Sequence, residues 1–142
     1  MHLYISGSFA QRERLAAIAG QLEFVGYDVT SSWLYEPPIR FDDEHADYDK
    51  RARANEDLID IERAEAVLLF TDVPSTSGGF DTELGMALMG RKPVYLYGPR
   101  INIFTYMHAV IPPTPEMEKA IEYVDNQIAK RAGGLVLLED RR

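Results

Sequence analysis

Ala66-Val67-Leu68-Leu69-Phe70 is an unbroken apolar run, with Glu65 before it and Thr71-Asp72 after it. A strand exposed on one side alternates apolar and polar residues. A strand with no polar position is buried on both faces, as in the centre of a parallel sheet covered by helices on both sides. Both flanks of the run fit that setting. Before it, a helix is expected over about Tyr48 to Ala64, with Ala54, Leu58, Ile61 and Ala64 facing inward. After it comes a turn-rich segment, Asp72 to Gly79, then a short helix from Asp81 to Met89 closed by Gly90, then a strand over Pro93 to Tyr97 ended by Gly98-Pro99.

Further out the same alternation continues. His2-Leu3-Tyr4-Ile5-Ser6 reads as the first strand and runs into Gly7-Ser8. Leu15, Ile18, Ala19, Leu22 and Val25 recur at helical spacing, and Gly26 suits the residue just past the helix end. A second strand is expected from Tyr27 to Trp33, followed by a polar segment, Leu34 to Asp47, that reads as a loop or lid. Thr114 and Pro115 suit the cap and first position of a last helix marked by Met117, Ala120, Ile121, Val124 and Ile128. Gly133 then ends it, and Leu135 to Leu138 reads as a fifth strand. The expectation is one domain over residues 1–142, an α/β, doubly wound, five-stranded parallel sheet.

The bulk numbers narrow the function. A chain of 142 residues with 46% hydrophobic and 27% charged residues is an ordinary globular sequence. Its net charge of −8 argues against binding a nucleic-acid polymer, which needs a basic face. No apolar run is long enough to cross a membrane, and Met1 to Ser8 lacks the pattern of a secretion signal. The absence of cysteine removes thiolate and zinc-thiolate chemistry, and His2, His45 and His108 are scattered, so neither a metal nor a cofactor is expected. A cytoplasmic location follows as the expectation.

In a doubly wound sheet, ligands sit beyond the carboxyl ends of the strands, where strand order reverses. Several residues at those ends carry chemistry. In Ser75-Thr76-Ser77-Gly78-Gly79-Phe80-Asp81-Thr82-Glu83, the glycines let backbone approach a ligand and the helix offers free N–H groups to an anion. Glu83 falls in the expected first turn, where the helix dipole favours an ionised carboxylate suited to nucleophilic attack, or one that simply complements the dipole at the surface. Gly7 and Ser8 can present donors to a phosphate; equally, Ser8 can be a helix cap. Arg12 and Arg14 can add charge there or merely solubilise. Away from those ends, Asp57 sits on an acid-rich helix and Tyr4 points into the sheet, so each has a plain structural reading.

Taken together, these segments resemble the nucleoside 2-deoxyribosyltransferase family. The likeness runs from Leu3-Tyr4-Ile5-Ser6-Gly7-Ser8 through Asn55-Glu56-Asp57-Leu58 and Gly78-Gly79-Phe80-Asp81-Thr82-Glu83-Leu84-Gly85-Met86-Ala87 to Gly90-Arg91-Lys92-Pro93-Val94. It implies a flavodoxin-like (Rossmann-like) fold and cleavage of the N-glycosidic bond of 2′-deoxyribonucleosides or their 5′-monophosphates. It further implies that Glu83 attacks C1′ and forms a deoxyribosyl-enzyme, that Asp57 gives the leaving base a proton, and that Tyr4 positions Glu83. Water as acceptor gives an N-hydrolase; a second base gives a transferase. Gly7, Ser8, Ser77, Gly78 and Gly79 would hold the substrate or its phosphate. Ser77 stands where nucleoside transferases tend to carry an aspartate, and the 5′-phosphate N-hydrolase branch has serine, which tilts the reading toward a monophosphate. Against that, Ala10 stands where this branch places an arginine, unless Arg12 or Arg14 substitutes. The resemblance also implies a homodimer or higher oligomer. Two rivals share the scaffold: a non-catalytic nucleotide-binding or sensor module, and a signalling domain that cleaves a nicotinamide dinucleotide.

Overall fold

The structure, a computed structural model, describes residues 1–37, 46–75 and 78–140, with residues 46 and 134–140 described by their backbone alone. Five parallel strands form one sheet in the order β2-β1-β3-β4-β5: β1 His2–Ser6, β2 Asp28–Val29, β3 Ala66–Phe70, β4 Val94–Tyr97 and β5 Val110–Ile111. Helix α1 is Arg12–Phe24, α2 Ala46–Arg63, α3 Gly79–Met89 and α4 Pro115–Asp140. This is the flavodoxin-like order, with its reversal point between β1 and β3.

Every residue of β3 is buried, as its apolar run requires. It pairs with β1 through Leu3 to Ser6 and with β4 through Val94 to Tyr97. Strand alternation then divides the core in two. Leu3, Ile5, Leu68 and Phe70 pack against α1 and α4, while Tyr4, Val67, Leu69 and Val94 pack with Phe80 and Leu84 of α3 and Ile61 of α2. Burying each such aliphatic side chain contributes about 1.5–3 kcal/mol, so both faces must be covered for the sheet to persist. Gly26, at φ 107°, ends α1 as expected.

Four expectations need correcting. The fifth strand is Val110–Ile111, too short to show any periodicity, and Leu135 to Leu138 instead continue α4. A four-residue apolar run fits a helix as well as a strand, and glycine within a helix costs only about 1 kcal/mol, so Gly133 did not end it. The second strand is reduced to Asp28–Val29, because Ser32–Tyr35 coil into a 3-10 turn. On α2, Ala54 is exposed and Leu58 is 49% exposed; the face turned to the protein carries Asp57, Asp60 and Ile61, with buried Ala64 just past the helix end. Asp60 tolerates burial because it accepts hydrogen bonds from the Ser32 backbone N–H (3.0 Å) and hydroxyl (2.5 Å). Finally, α3 begins at Gly79, capped by Gly78 in the left-handed region (φ 72°), so Glu83 lies in the second turn rather than the first. Of the segment read as a loop or lid, residues 38–45 lie outside the described residues.

Candidate active site

Strand β1 and helix α3 meet over one carboxylate. Tyr4 and Ser6 are two residues apart and so leave β1 on the same side. Tyr4 Oη donates a hydrogen bond to Glu83 Oε1 at 2.9 Å, and Ser6 Oγ donates to Glu83 Oε2. Both hydroxyl residues are fully buried, and Glu83 is partly buried. Burial pushes the Glu83 carboxyl up to about 7; the Ser6 and Tyr4 hydrogen bonds pull it back, and the Asp57 charge adds to the rise. Glu83 lies one turn further from the helix end than expected, so the helix dipole acts on it less than burial does. Burial and the Glu83, Asp57 and Asp60 carboxylates drive the Tyr4 phenol upward, so it stays a donor throughout the working pH range.

Asp57 is supplied by α2. Its carboxyl is pushed up to about 6, first by burial and then by Asp60 and Glu56, while Arg53 draws it down. Next to it, Glu36 rises to about 7 through burial and its hydrogen bond and charge contact with Glu56; Arg53, 3.4 Å from Glu36, opposes this. Two carboxyls, Glu83 and Asp57, therefore have raised proton affinity, and the Asp57 charge contributes to the rise at Glu83.

The residues expected to cradle a phosphate have other work. A Cβ at Gly7 would lie 2.8 Å from Leu15 Cδ1 and 3.3 Å from Phe70 Cβ, so glycine is required there for close packing. Ser8 caps the 3-10 turn Phe9–Gln11, its Oγ accepting from the Ala10 N–H at 3.3 Å; its own proton is not spent in that bond. Arg14 is wholly engaged. Its Nε and Nη2 donate to Asp125 at 2.7 and 3.0 Å, and its Nη1 to Asp72 and Gln11, each at 2.7 Å. The guanidinium also lies over the Phe70 and Tyr97 rings. Arg12 donates to the Glu36 carbonyl and lies over Phe9. Arg14 is thus engaged at all three guanidinium nitrogens, and Arg12 at one. Gly78 provides the left-handed cap of α3 with open space where a Cβ would be, and Gly79 opens the helix. Ser77 lies outside the described residues. A groove of about 460 Å³, lined among others by Asp72, Ser75, Phe80 and Asn102, lies between the β3 and β4 loops, and Glu83 does not line it.

Ser6, Glu36, Arg53 and Asp60 escaped the sequence reading. Ser6 had a usable signal, since it shares the face of Tyr4 by alternation. Asp60 follows Asp57 at helical spacing, but its burial depends on Ser32, which no local pattern reveals.

No family model matches the sequence, and no protein of curated function matches it in sequence. Solved structures do match in shape. A 2-deoxyribosyltransferase of Bacillus psychrosaccharolyticus aligns over 81% of this chain and 98% of its own, with a TM-score of 0.57 and 20% identity. The CMP N-glycosidase of Clostridium botulinum aligns over 88% of this chain and 99% of its own, with a TM-score of 0.55 and 16% identity. Neither identity is high enough to carry an activity across, but each alignment spans almost the whole of the other enzyme. What the chain shares with both is the flavodoxin-like fold, a five-stranded parallel sheet with helices on both sides.

Proposed function

We propose that the chain belongs to the nucleoside 2-deoxyribosyltransferase family and cleaves the N-glycosidic bond of 2′-deoxyribonucleosides or their 5′-monophosphates. The observation that carries the proposal is the Glu83 carboxylate, held by Tyr4 and flanked by the raised carboxyl of Asp57. The two similar structures, a deoxyribosyltransferase and a CMP N-glycosidase, support the reaction class.

In the proposed mechanism a lone pair of ionised Glu83 forms a bond to C1′ as the C1′–N bond breaks. The bonding electrons leave with the base, which takes the proton of Asp57. Asp57, now ionised, accepts a proton from water as that water attacks C1′ and frees Glu83; an incoming base in place of water gives transfer. Tyr4 holds the carboxylate in place. The working enzyme therefore carries one proton on the Glu83–Asp57 pair, and that proton must sit on Asp57. Both carboxyls are raised, chiefly by burial, so the pair can hold a single proton near neutrality. With Arg12 and Arg14 engaged elsewhere, a 5′-phosphate would rest on neutral donors such as the Ser8 hydroxyl and the backbone at Gly78 and Gly79, so nucleoside and monophosphate both stay in the proposal.

The test is a base-release assay on single deoxynucleosides, their 5′-monophosphates, CMP and NAD, with wild type and Glu83→Ala. Release from deoxynucleosides or deoxynucleotides by wild type alone is the expected result. Release that survives in Glu83→Ala, or confined to NAD, would overturn the proposal; no release from any of them would favour the sensor module.

A further inference from the structure

Glu83 is gripped at both oxygens, and only one of the two grips belongs to the tyrosine. A carboxylate bonded at one oxygen can still swing about its last torsion, whose energy profile is broad. Bonded at both, it cannot. The second donor is Ser6, fully buried at the last position of β1. We propose that Ser6 is a positioning residue for the nucleophile: its hydroxyl holds Oε2 while Tyr4 holds Oε1, fixing the Glu83 carboxylate in one orientation at the carboxyl edge of the sheet. This rests on the reading of Glu83 as the attacking group and adds a residue to it.

The choice of a hydroxyl has a chemical consequence. A guanidinium or ammonium in that place would hold the carboxylate but neutralise it and blunt its attack. A neutral donor orients it and favours its ionised form while leaving its charge in place. Among the described residues, the charged and titratable groups that bear on Glu83 are Tyr4 from β1 and Asp57 from α2; Asp60, Glu56 and Arg53, also of α2, act on Asp57 in turn. Against the burial of Glu83 and the repulsion of Asp57, the two hydroxyls are what pull the carboxyl back toward ionisation.

The test begins without substrate. In protein carrying 13C-labelled glutamate, the side-chain carboxyl of Glu83, assigned with Glu83→Gln, is titrated in wild type, Ser6→Ala and Ser6→Cys. Loss of one hydrogen bond to a charged group moves the midpoint up by about 1 unit. Cysteine, close in volume and a weak donor, gives the same direction and serves should the alanine variant not fold. The profile of kcat/KM for base release against pH then shows two linked changes. Its basic limb shifts up by about the same unit, and its maximum falls as the shared proton moves further onto Glu83. An unchanged Glu83 midpoint, or a rate loss with the basic limb unmoved, overturns the role of Ser6. A wild type that releases no base refutes the proposed function while the titration still decides whether Ser6 holds Glu83.

Discussion

Two charged clusters lie on opposite faces of the same sheet, and they are built on opposite principles. On the α1/α4 face, Arg14 meets two carboxylates, a glutamine and two aromatic rings. Its charge is fully compensated, and the hydrogen bonds to Asp125 and Asp72 raise its proton affinity further. On the α2/α3 face, Glu83 receives hydroxyl hydrogens from Tyr4 and Ser6 and feels another carboxyl, Asp57. The first arrangement fixes a protonation state; the second brings one to the edge of changing near neutrality. A cluster that satisfies its charges holds a structure together, whereas one that leaves them unbalanced stores reactivity. The two should respond to mutation in opposite currencies, one in rate and the other in stability.

The largest expected effect breaks the reactive side. If the proposed mechanism holds, Glu83→Ala should lower base release by at least about 10³-fold, since it would remove both the covalent trap and the charge opposite the oxocarbenium-like transition state. Its melting temperature should stay at or above that of wild type. Asp57→Asn comes next, with a loss of about 10²–10³-fold that is smallest for bases that leave easily. Wild-type kcat/KM should trace a bell centred at about pH 6.5, between the Asp57 and Glu83 values. Asp57→Asn should lose the descending limb, leaving a rate that rises through the Glu83 titration and then levels off. A variant that keeps the bell shape would remove Asp57 from the proton count.

How much of this contrast the sequence revealed depends on how local each cause is. The run from Ala66 to Phe70 announced a doubly covered strand because both of its neighbours impose the same demand on every position. Val110–Ile111 announced nothing: two residues have no period, and their pairing with β4 is a tertiary fact. On α2 the usual rule inverted, with Asp57 and Asp60 turned inward while Leu58 and Ile59 are about half exposed. Only the Ser32 donors, 28 residues from Asp60, make that tolerable. Tyr4 and Glu83 were found through the resemblance, but their contact joins positions 79 residues apart and depends on α3 packing over β1. The Arg14 cluster was invisible for the same reason, since Asp125 is 111 residues away.

Arg14→Ala tests the compensated side. Removing the cation leaves Asp72 and Asp125 facing each other without it, and takes away a planar group stacked on Phe70 and Tyr97. With the guanidinium about one-fifth exposed, the expected cost is about 2–3 kcal/mol, below the range for a fully buried pair. In a domain of this size that lowers the melting temperature by roughly 6–15 °C. Base release by the protein that remains folded should stay within about threefold of wild type. A loss of rate as large as that of Asp57→Asn, with the melting temperature unchanged, would show that the two clusters are not separate in function.

The smallest effect is the most discriminating, because it reads the unbalanced side in the currency of the other. Glu83 titrates at about 7 in the folded protein against an ordinary value of 4.5. A raised carboxyl favours the folded state while protonated, so its contribution is fully present below about pH 4.5 and is lost as pH rises through 7. Above pH 7 the folded protein carries an ionised, partly buried carboxylate that the unfolded chain would solvate better. Allowing for the partial exposure of Glu83, that costs about 1–2 kcal/mol. Glu83→Gln keeps the shape and removes the charge. Measured by urea unfolding at fixed pH, the variant should gain on wild type by that amount between pH 4.5 and 8, and the gain should level off above pH 8. Arg14→Ala removes a guanidinium whose proton affinity is raised, so that it stays charged throughout this range, and should show a deficit that hardly changes with pH. A Glu83→Gln advantage that is flat from pH 4 to 8 would mean that Glu83 is not held near neutrality, and the contrast between the two faces would disappear.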